Sequence, residues 1–313
     1  MNLASIDIGT NSTRMLVCSY NDSNLKIIER KMVITRLGKG ISRSGNIQEN
    51  SFNLTLEVLK DYAKILENCH VEKYRAVGTS ALRRAINSNT FLEEAAIKTG
   101  LNIEIINAEQ EAFLSFFGAV KGLSSVNKKE LPENRYMVID SGGGSSEIIY
   151  GDLKGRVINS KSLDIGCVRT SEQFLFLDPP SEKEIKSMHS FIKKEISASL
   201  SDFNVKTGNA IAIGLAGTMS SLASIYLALE NYDSERINSL VLSIYKLSRI
   251  YEDLKKLNLE QRKKIKGLEP ERADIILGGT AIIIEIMKYF KFKNIIVSQY
   301  DILDGIIYSL IDF

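Results

Sequence analysis

The chain carries one loop twice. Asp7-Ile8-Gly9-Thr10-Asn11-Ser12 lies near the N-terminus and Asp140-Ser141-Gly142-Gly143-Gly144-Ser145 in the middle, with acid, glycine and serine at matching places. Turns built from glycine and small hydroxyl residues leave backbone N–H groups unblocked, so they can wrap a phosphate. Gly9, Thr10, Asn11 and Ser12 would donate from one copy, and Gly142, Gly143, Gly144 and Ser145 from the other. Asp7 and Asp140 each end an apolar run, where an unpaired charge is costly. Glu147 stands across the second hairpin from Asp140. These three carboxylates, Asp7, Asp140 and Glu147, offer the hard oxygens that Mg2+ prefers, directly or through water. A lone Asp-x-Gly turn is an ordinary hairpin. Two with matched flanks predict facing lobes that share one phosphorylated ligand.

Histidine is scarce, with only His70 and His189, so acid–base work falls to carboxylates. Glu109 and Glu111 open a helix after an apolar strand, and by spacing alone they stand equal as a water-activating base. The bland reading of either is a first-turn acid favoured by the helix dipole. Arg83, followed by Arg84, sits one turn beyond Thr79-Ser80 and can grip phosphate as a planar fork. Arg14 and Arg169 are further cations beside the repeated turns. The basic runs Lys193-Lys194, Lys255-Lys256 and Arg262-Lys263-Lys264-Lys266 read as solvated helix faces, a polyphosphate track being the minority reading of the last.

These residues must be positioned by repeated elements. Periodicity predicts strands near 3–8, 13–20 and 25–35, a helix over 48–67, a strand at 73–78, helical sequence over 79–98, a strand at 103–106 and a helix at 108–120. Gly100 falls where a helix C-cap belongs. The second half repeats the order: strands near 135–140, 145–150 and 155–161, helical sequence over 168–199, a strand at 210–214 and a helix at 217–229. Pro179-Pro180 break the long helical run, and Ser181 with Glu184 has capping-box spacing. Mainly helical sequence continues to about 290, then a strand at 294–297 and a helix at 302–312. The segment 121–134 is the best linker. The expected fold is α/β, two actin-like (ribonuclease H-like) lobes with an interlobe cleft. The lobes would span 1–125 and 126–313, the last helix being free to pack back on the first.

At 313 residues the chain can hold two cores, and 44% hydrophobic with 25% charged residues is ordinary for a globular protein. A net charge of +2 gives no reason to invoke nucleic acid or a membrane surface. The cysteines Cys18, Cys69 and Cys167 have no paired spacing and read as buried thiols. Asp7 and Arg14 interrupt the N-terminal apolar stretch, and the apolar region 275–287 contains Glu285 and is too short to span a bilayer. A cytoplasmic protein is expected. Oligomeric state stays open, a homodimer being one option.

Six segments carry a resemblance. They are Asp7-Ile-Gly-Thr-Asn-Ser-Thr-Arg14, Gly78-Thr-Ser-Ala-Leu-Arg-Arg-Ala-Ile-Asn87, Glu109-Gln-Glu-Ala112, Asp140-Ser-Gly-Gly-Gly-Ser-Ser-Glu147, Ile213-Gly-Leu-Ala-Gly-Thr-Met219 and Arg272-Ala-Asp-Ile-Ile-Leu-Gly-Gly279. In this order they resemble the exopolyphosphatase and guanosine pentaphosphate phosphatase family, here as a short two-domain member. The resemblance implies Mg2+-dependent hydrolysis of a terminal phosphoanhydride, with polyphosphate or guanosine pentaphosphate as substrate. It moves the catalytic base to Glu111 and assigns Arg83 to phosphate. Gly214, Gly217 and Thr218 match a segment that binds adenosine in related kinases; they either receive a nucleoside or allow close packing. Asp301 and Leu303 depart from the family's glycine and arginine, which removes a cation expected at the hinge. An actin-like small-molecule kinase and a nucleotide-binding regulator without turnover are the alternatives.

Overall fold

The computed structural model describes residues 1–21, 24–126, 135–205, 208 and 210–311. The first sheet holds β1 (Asn2–Ile8), β2 (Thr13–Asn21), β3 (Asn24–Val33), β4 (Lys73–Gly78) and β5 (Ile103–Ile105), in the order β3-β2-β1-β4-β5. The near-continuous apolar run of β1 makes it central, buried on both faces and paired antiparallel with β2 and parallel with β4. Around the sheet lie α1 (Ile41–Ser44), α2 (Glu49–Asn68), α3 (Ser80–Arg84), α4 (Ser88–Thr99) and α5 (Ala108–Val126). Leu56, Leu59, Tyr62 and Leu66 form the buried stripe of α2. Gly100 ends α4 at φ 71°, a left-handed value that costs glycine little.

The second sheet repeats that order. It holds β6 (Arg135–Ser141), β7 (Ser146–Asp152), β8 (Val157–Leu163), β9 (Ala210–Leu215), β10 (Val241–Ser243) and β11 (Asn294–Val297), arranged β10-β11-β9-β6-β7-β8. Read from β8, the strands run β8-β7-β6-β9-β11, matching β3-β2-β1-β4-β5 one for one. The chain is therefore a duplicated α/β protein of the actin-like kind. Its helices are α6 (Cys167–Phe174), α7 (Glu182–Ser199), α8 (Ala216–Tyr226), α9 (Ser234–Ile237), α10 (Ile244–Leu254), α11 (Leu259–Arg262) and α12 (Ile276–Tyr289). Ser181 and Glu184 form the reciprocal capping box that starts α7. The strand β10 is an element that the expectation of mainly helical sequence there did not name. Three residues, Val241-Leu242-Ser243, are too few to show alternation, and pairing with β11 creates the strand.

Two compact units result, Met1–Gly118 with Ile302–Phe313, and Ala119–Asp301. The division falls within α5, ahead of the linker expected at 121–134. Residues 121–126 of that linker are helical, and 127–134 lie outside the described residues. The last helix, α13 (Ile302–Ile311), belongs to the first unit. Leu303 and Ile307 pack with Leu3, Leu16 and Cys18, while Ile302 and Ile306 join Val77, Ile106 and Leu114. Gly305 permits this, since a Cβ there would stand 1.9 Å from the carbonyl oxygen of Leu114. Asp304 is buried and receives the Arg30 Nη2 of β3 at 2.9 and 3.0 Å. Leu303, the departure from the family's arginine, is thus an apolar core residue 1% exposed.

Candidate active site

In the first unit, β1 delivers Asp7 directly opposite Arg14 of β2. Arg14 Nη2 and Nε reach Asp7 Oδ2 at 2.6 and 3.0 Å, so this carboxylate is held in an ion pair. The turn then closes with Gly9 N–H donating to Ser12 O at 3.0 Å. Thr10 and Asn11 are buried, and Asn11 Nδ2 makes no hydrogen bond among the described residues. A buried donor without an acceptor is costly, and an anionic ligand would satisfy it.

Arg83 and Glu111 converge from α3 and α5. Arg83 Nη1 donates to Glu111 Oε2 at 2.5 Å and to Ile106 O at 3.0 Å, with both side chains largely shielded. Glu109 is exposed. The start of α5 gives Gln110 a structural part. Asn107 Oδ1 accepts Gln110 N–H at 2.8 Å and Gln110 Oε1 accepts Asn107 N–H at 3.0 Å, a reciprocal cap that Gln completes as well as Glu. Sequence reasoning missed it, although Asn107-x-x-Gln110 is the signal. Its effect is to fix the first turn of α5 and with it the direction of Glu111.

In the second unit Asp140 and Glu147 are register partners on β6 and β7. Directly opposed residues of an antiparallel pair project on one face with Cβ atoms about 5 Å apart. Glu147 is 1% exposed and accepts Ser162 Oγ, from β8, at 2.9 Å. The second turn closes like the first, with Gly142 N–H donating to Ser145 O at 3.0 Å. Duplication has put Arg14 and Glu147 at equivalent positions: the first acid faces a cation, the second another acid. Among the described residues no group of three or more His, Cys, Asp or Glu is gathered for a metal. The Asp140–Glu147 pair still fits Mg2+, which commonly takes one or two carboxylates, waters and substrate phosphate.

Gly214, Gly217 and Thr218 are accounted for by close packing. A Cβ on Gly214 would meet Met219 and Ile295 at 2.7 and 2.8 Å, and one on Gly217 would meet the Arg272 guanidinium at 2.0 Å. Thr218 is buried against Gly279. The basic runs pair with neighbouring acids: Lys255 with Glu252, Lys256 with Asp253, Lys263 with Glu260 and Lys266 with Glu230. They are solvated ion-paired surfaces. Arg262 differs, being buried and bound to Asp178 at 3.1 Å.

Two matching turns and strand-end carboxylates on a duplicated actin-like chain define a class of phosphoryl-handling proteins. The chain belongs to the Ppx/GppA phosphatase family, whose profile matches residues 16–312. It is 32% identical to Exopolyphosphatase 2 of Mycobacterium tuberculosis, over 98% of either protein. It is 28% identical to the guanosine-5'-triphosphate,3'-diphosphate pyrophosphatase of Aliivibrio fischeri, over 99% of this chain and 59% of that relative. The crystal structure of the Aquifex aeolicus Ppx/GppA family member matches with a TM-score of 0.83 at 33% identity, covering 99% of this chain and 97% of that one. Membership makes the chain a hydrolase, and these named relatives cleave phosphoanhydrides. No helix among the described residues is long and apolar enough to cross a membrane.

Proposed function

We propose that this hydrolase releases terminal phosphate from inorganic polyphosphate, with guanosine pentaphosphate as the second substrate to be tested. The observation that carries the reading is the pair of turns with the same Gly N–H to Ser O closure, each preceded by a strand-end aspartate. Phosphoanhydride hydrolysis needs charge neutralisation on the transferred group, placement of water and a base. Gly9 to Ser12 and Gly142 to Ser145 supply backbone and hydroxyl donors. Asp140 and Glu147 are the residues to hold Mg2+, oriented in part by Ser162, whereas Asp7 is ion-paired with Arg14. Mg2+ bound there would offset phosphate charge and polarise the scissile anhydride.

Glu111 accepts the proton of the attacking water in this reading. Arg83 Nη1 donates to its Oε2 and so holds the carboxylate in place, and Arg83 is the cation this reading assigns to phosphate. A cytoplasmic setting and a homodimer accord with the reading and are independent of it. The test is phosphate release with Mg2+ from polyphosphate, guanosine pentaphosphate and ATP in parallel. Release from polyphosphate is expected to exceed that from ATP. Release from ATP alone, coupled to a phosphorylated acceptor, would replace hydrolysis with a kinase reaction.

A further inference from the structure

The first sheet ends on one side in a long, open strand. β3 is ten residues long and closes the order β3-β2-β1-β4-β5, so its far side pairs with no strand among the described residues. The sheet's other edge, β5, has three residues, the short form that limits edge pairing. Along β3 the apolar residues Ile27, Ile28, Met32 and Val33 are 36–52% exposed. The equivalent edge strand of the second sheet, β8, exposes a single large apolar residue, Ile158. A long apolar edge is a template for another strand, and charges normally keep such edges apart. On β3 the charges have both signs and are spaced to answer each other. Glu29 Oε1 and Lys31 Nζ lie 3.1 Å apart, on either side of Arg30 in the sequence, while Arg30 is drawn onto Asp304 of α13.

We infer that β3 is the docking edge for a second copy of this chain, the two strands running antiparallel about a two-fold axis at Arg30. A two-fold interface has to be complementary to itself. The run Ile28-Glu29-Arg30-Lys31-Met32 meets that condition, since reversing it about Arg30 sets Glu29 against Lys31 and Ile28 against Met32, each twice. Ile27 and Val33 meet one step further out. Opposite charges facing each other across paired strands are favourable, and like charges there are unfavourable. Arg30 falls on the axis, where the bond to Asp304 tempers the meeting of two like charges. A bulge between Val17 and Cys18 leaves Ile28 without a register partner on β2, so the regular ladder begins at Glu29 and Ile28 closes its end through its side chain. The interface rests on no part of the phosphoanhydride reading.

Sedimentation equilibrium on the full chain tests it. The parent should be a dimer that dissociates on dilution. Glu29→Lys sets a lysine against Lys31 at both contacts, and Lys31→Glu sets a glutamate against Glu29. Each variant alone should therefore dimerise about tenfold or more weakly. Mixing the two variants should restore a dimer holding one copy of each, because every contact again joins opposite charges. The exchanged variant Glu29→Lys/Lys31→Glu should associate as the parent does. Lys64→Glu, the same charge change on the exposed face of α2, should leave association unaltered. Both single variants also break the Glu29–Lys31 pair within the chain, so the mixture is the arm that isolates the contact between copies. A monomeric parent would overturn the inference and leave the edge to a different partner. A single variant that associates as tightly as the parent, or a mixture no tighter than its components, would overturn it too.

Discussion

At the scale of single residues the division of labour is sharpest at Glu109 and Glu111, two acids on one helical turn. Glu111 is drawn inward by Arg83, whereas Glu109 faces solvent. Loss of a positioned general base typically costs ~10²–10⁴ in rate. Glu111→Gln is therefore expected to reduce kcat by about that factor while KM and melting temperature stay near the parent's. Glu109→Gln should retain full activity. Steady-state phosphate release checks both, and the reverse pattern would move the base to Glu109. The repeated acids, glycines and serines could be read from sequence because their types declare their chemistry. Arg14 as the partner of Asp7, and Ser162 as the partner of Glu147, could not, because each follows from strand register.

At the scale of elements, each turn is only as well placed as the strands that present it. The β6–β7–β8 hairpins bring Asp140, Glu147 and Ser162 together, so Ser162→Ala should loosen Glu147 without touching the turn itself. The expected result is a higher Mg2+ concentration for half-maximal activity, with the maximal rate largely recovered in excess Mg2+. A magnesium titration that superposes on the parent's would deny Ser162 that part. The α13 helix is held to the first unit by apolar contacts and by Arg30–Asp304, between groups 35% and 8% exposed. Arg30→Ala would take its charge-assisted contact from a mostly buried carboxylate, at a cost of about 1–3 kcal/mol, read as a lower urea midpoint. Restored stability in Arg30→Ala/Asp304→Asn would show that the carboxylate's charge, not lost packing, was responsible. Long strands and helices were legible from their periods and caps. Short β10 was not, since pairing across a gap of some fifty residues made it a strand.

At the scale of the whole molecule, duplication explains most of what the sequence disclosed. Two sheets with one strand order recur, and the polar residues that break the apolar pattern fall mainly at the turns. Residues outside that logic serve stability. Glu285 sits within the almost wholly buried α12, bonded to His189 Nδ1 at 2.9 Å and Lys288 Nζ at 3.0 Å. Burial pushes its carboxyl up, but the His189 and Lys288 hydrogen bonds outweigh it and hold the group below its ordinary 4.5. A depressed carboxylate stabilises the fold fully above its unfolded value and loses that contribution as pH falls through the folded one. Glu285→Gln should therefore melt lower than the parent near pH 7, with the gap narrowing below about pH 4.5. Parallel melting curves at every pH would refute the assignment. The central claim, that water attacks the terminal phosphorus of a polyphosphate chain, is tested most directly by single-turnover hydrolysis of tripolyphosphate in 18O-labelled water. The label should appear in the released orthophosphate and be lacking in the pyrophosphate. Label confined to the pyrophosphate would place attack on the penultimate phosphorus and contradict the account.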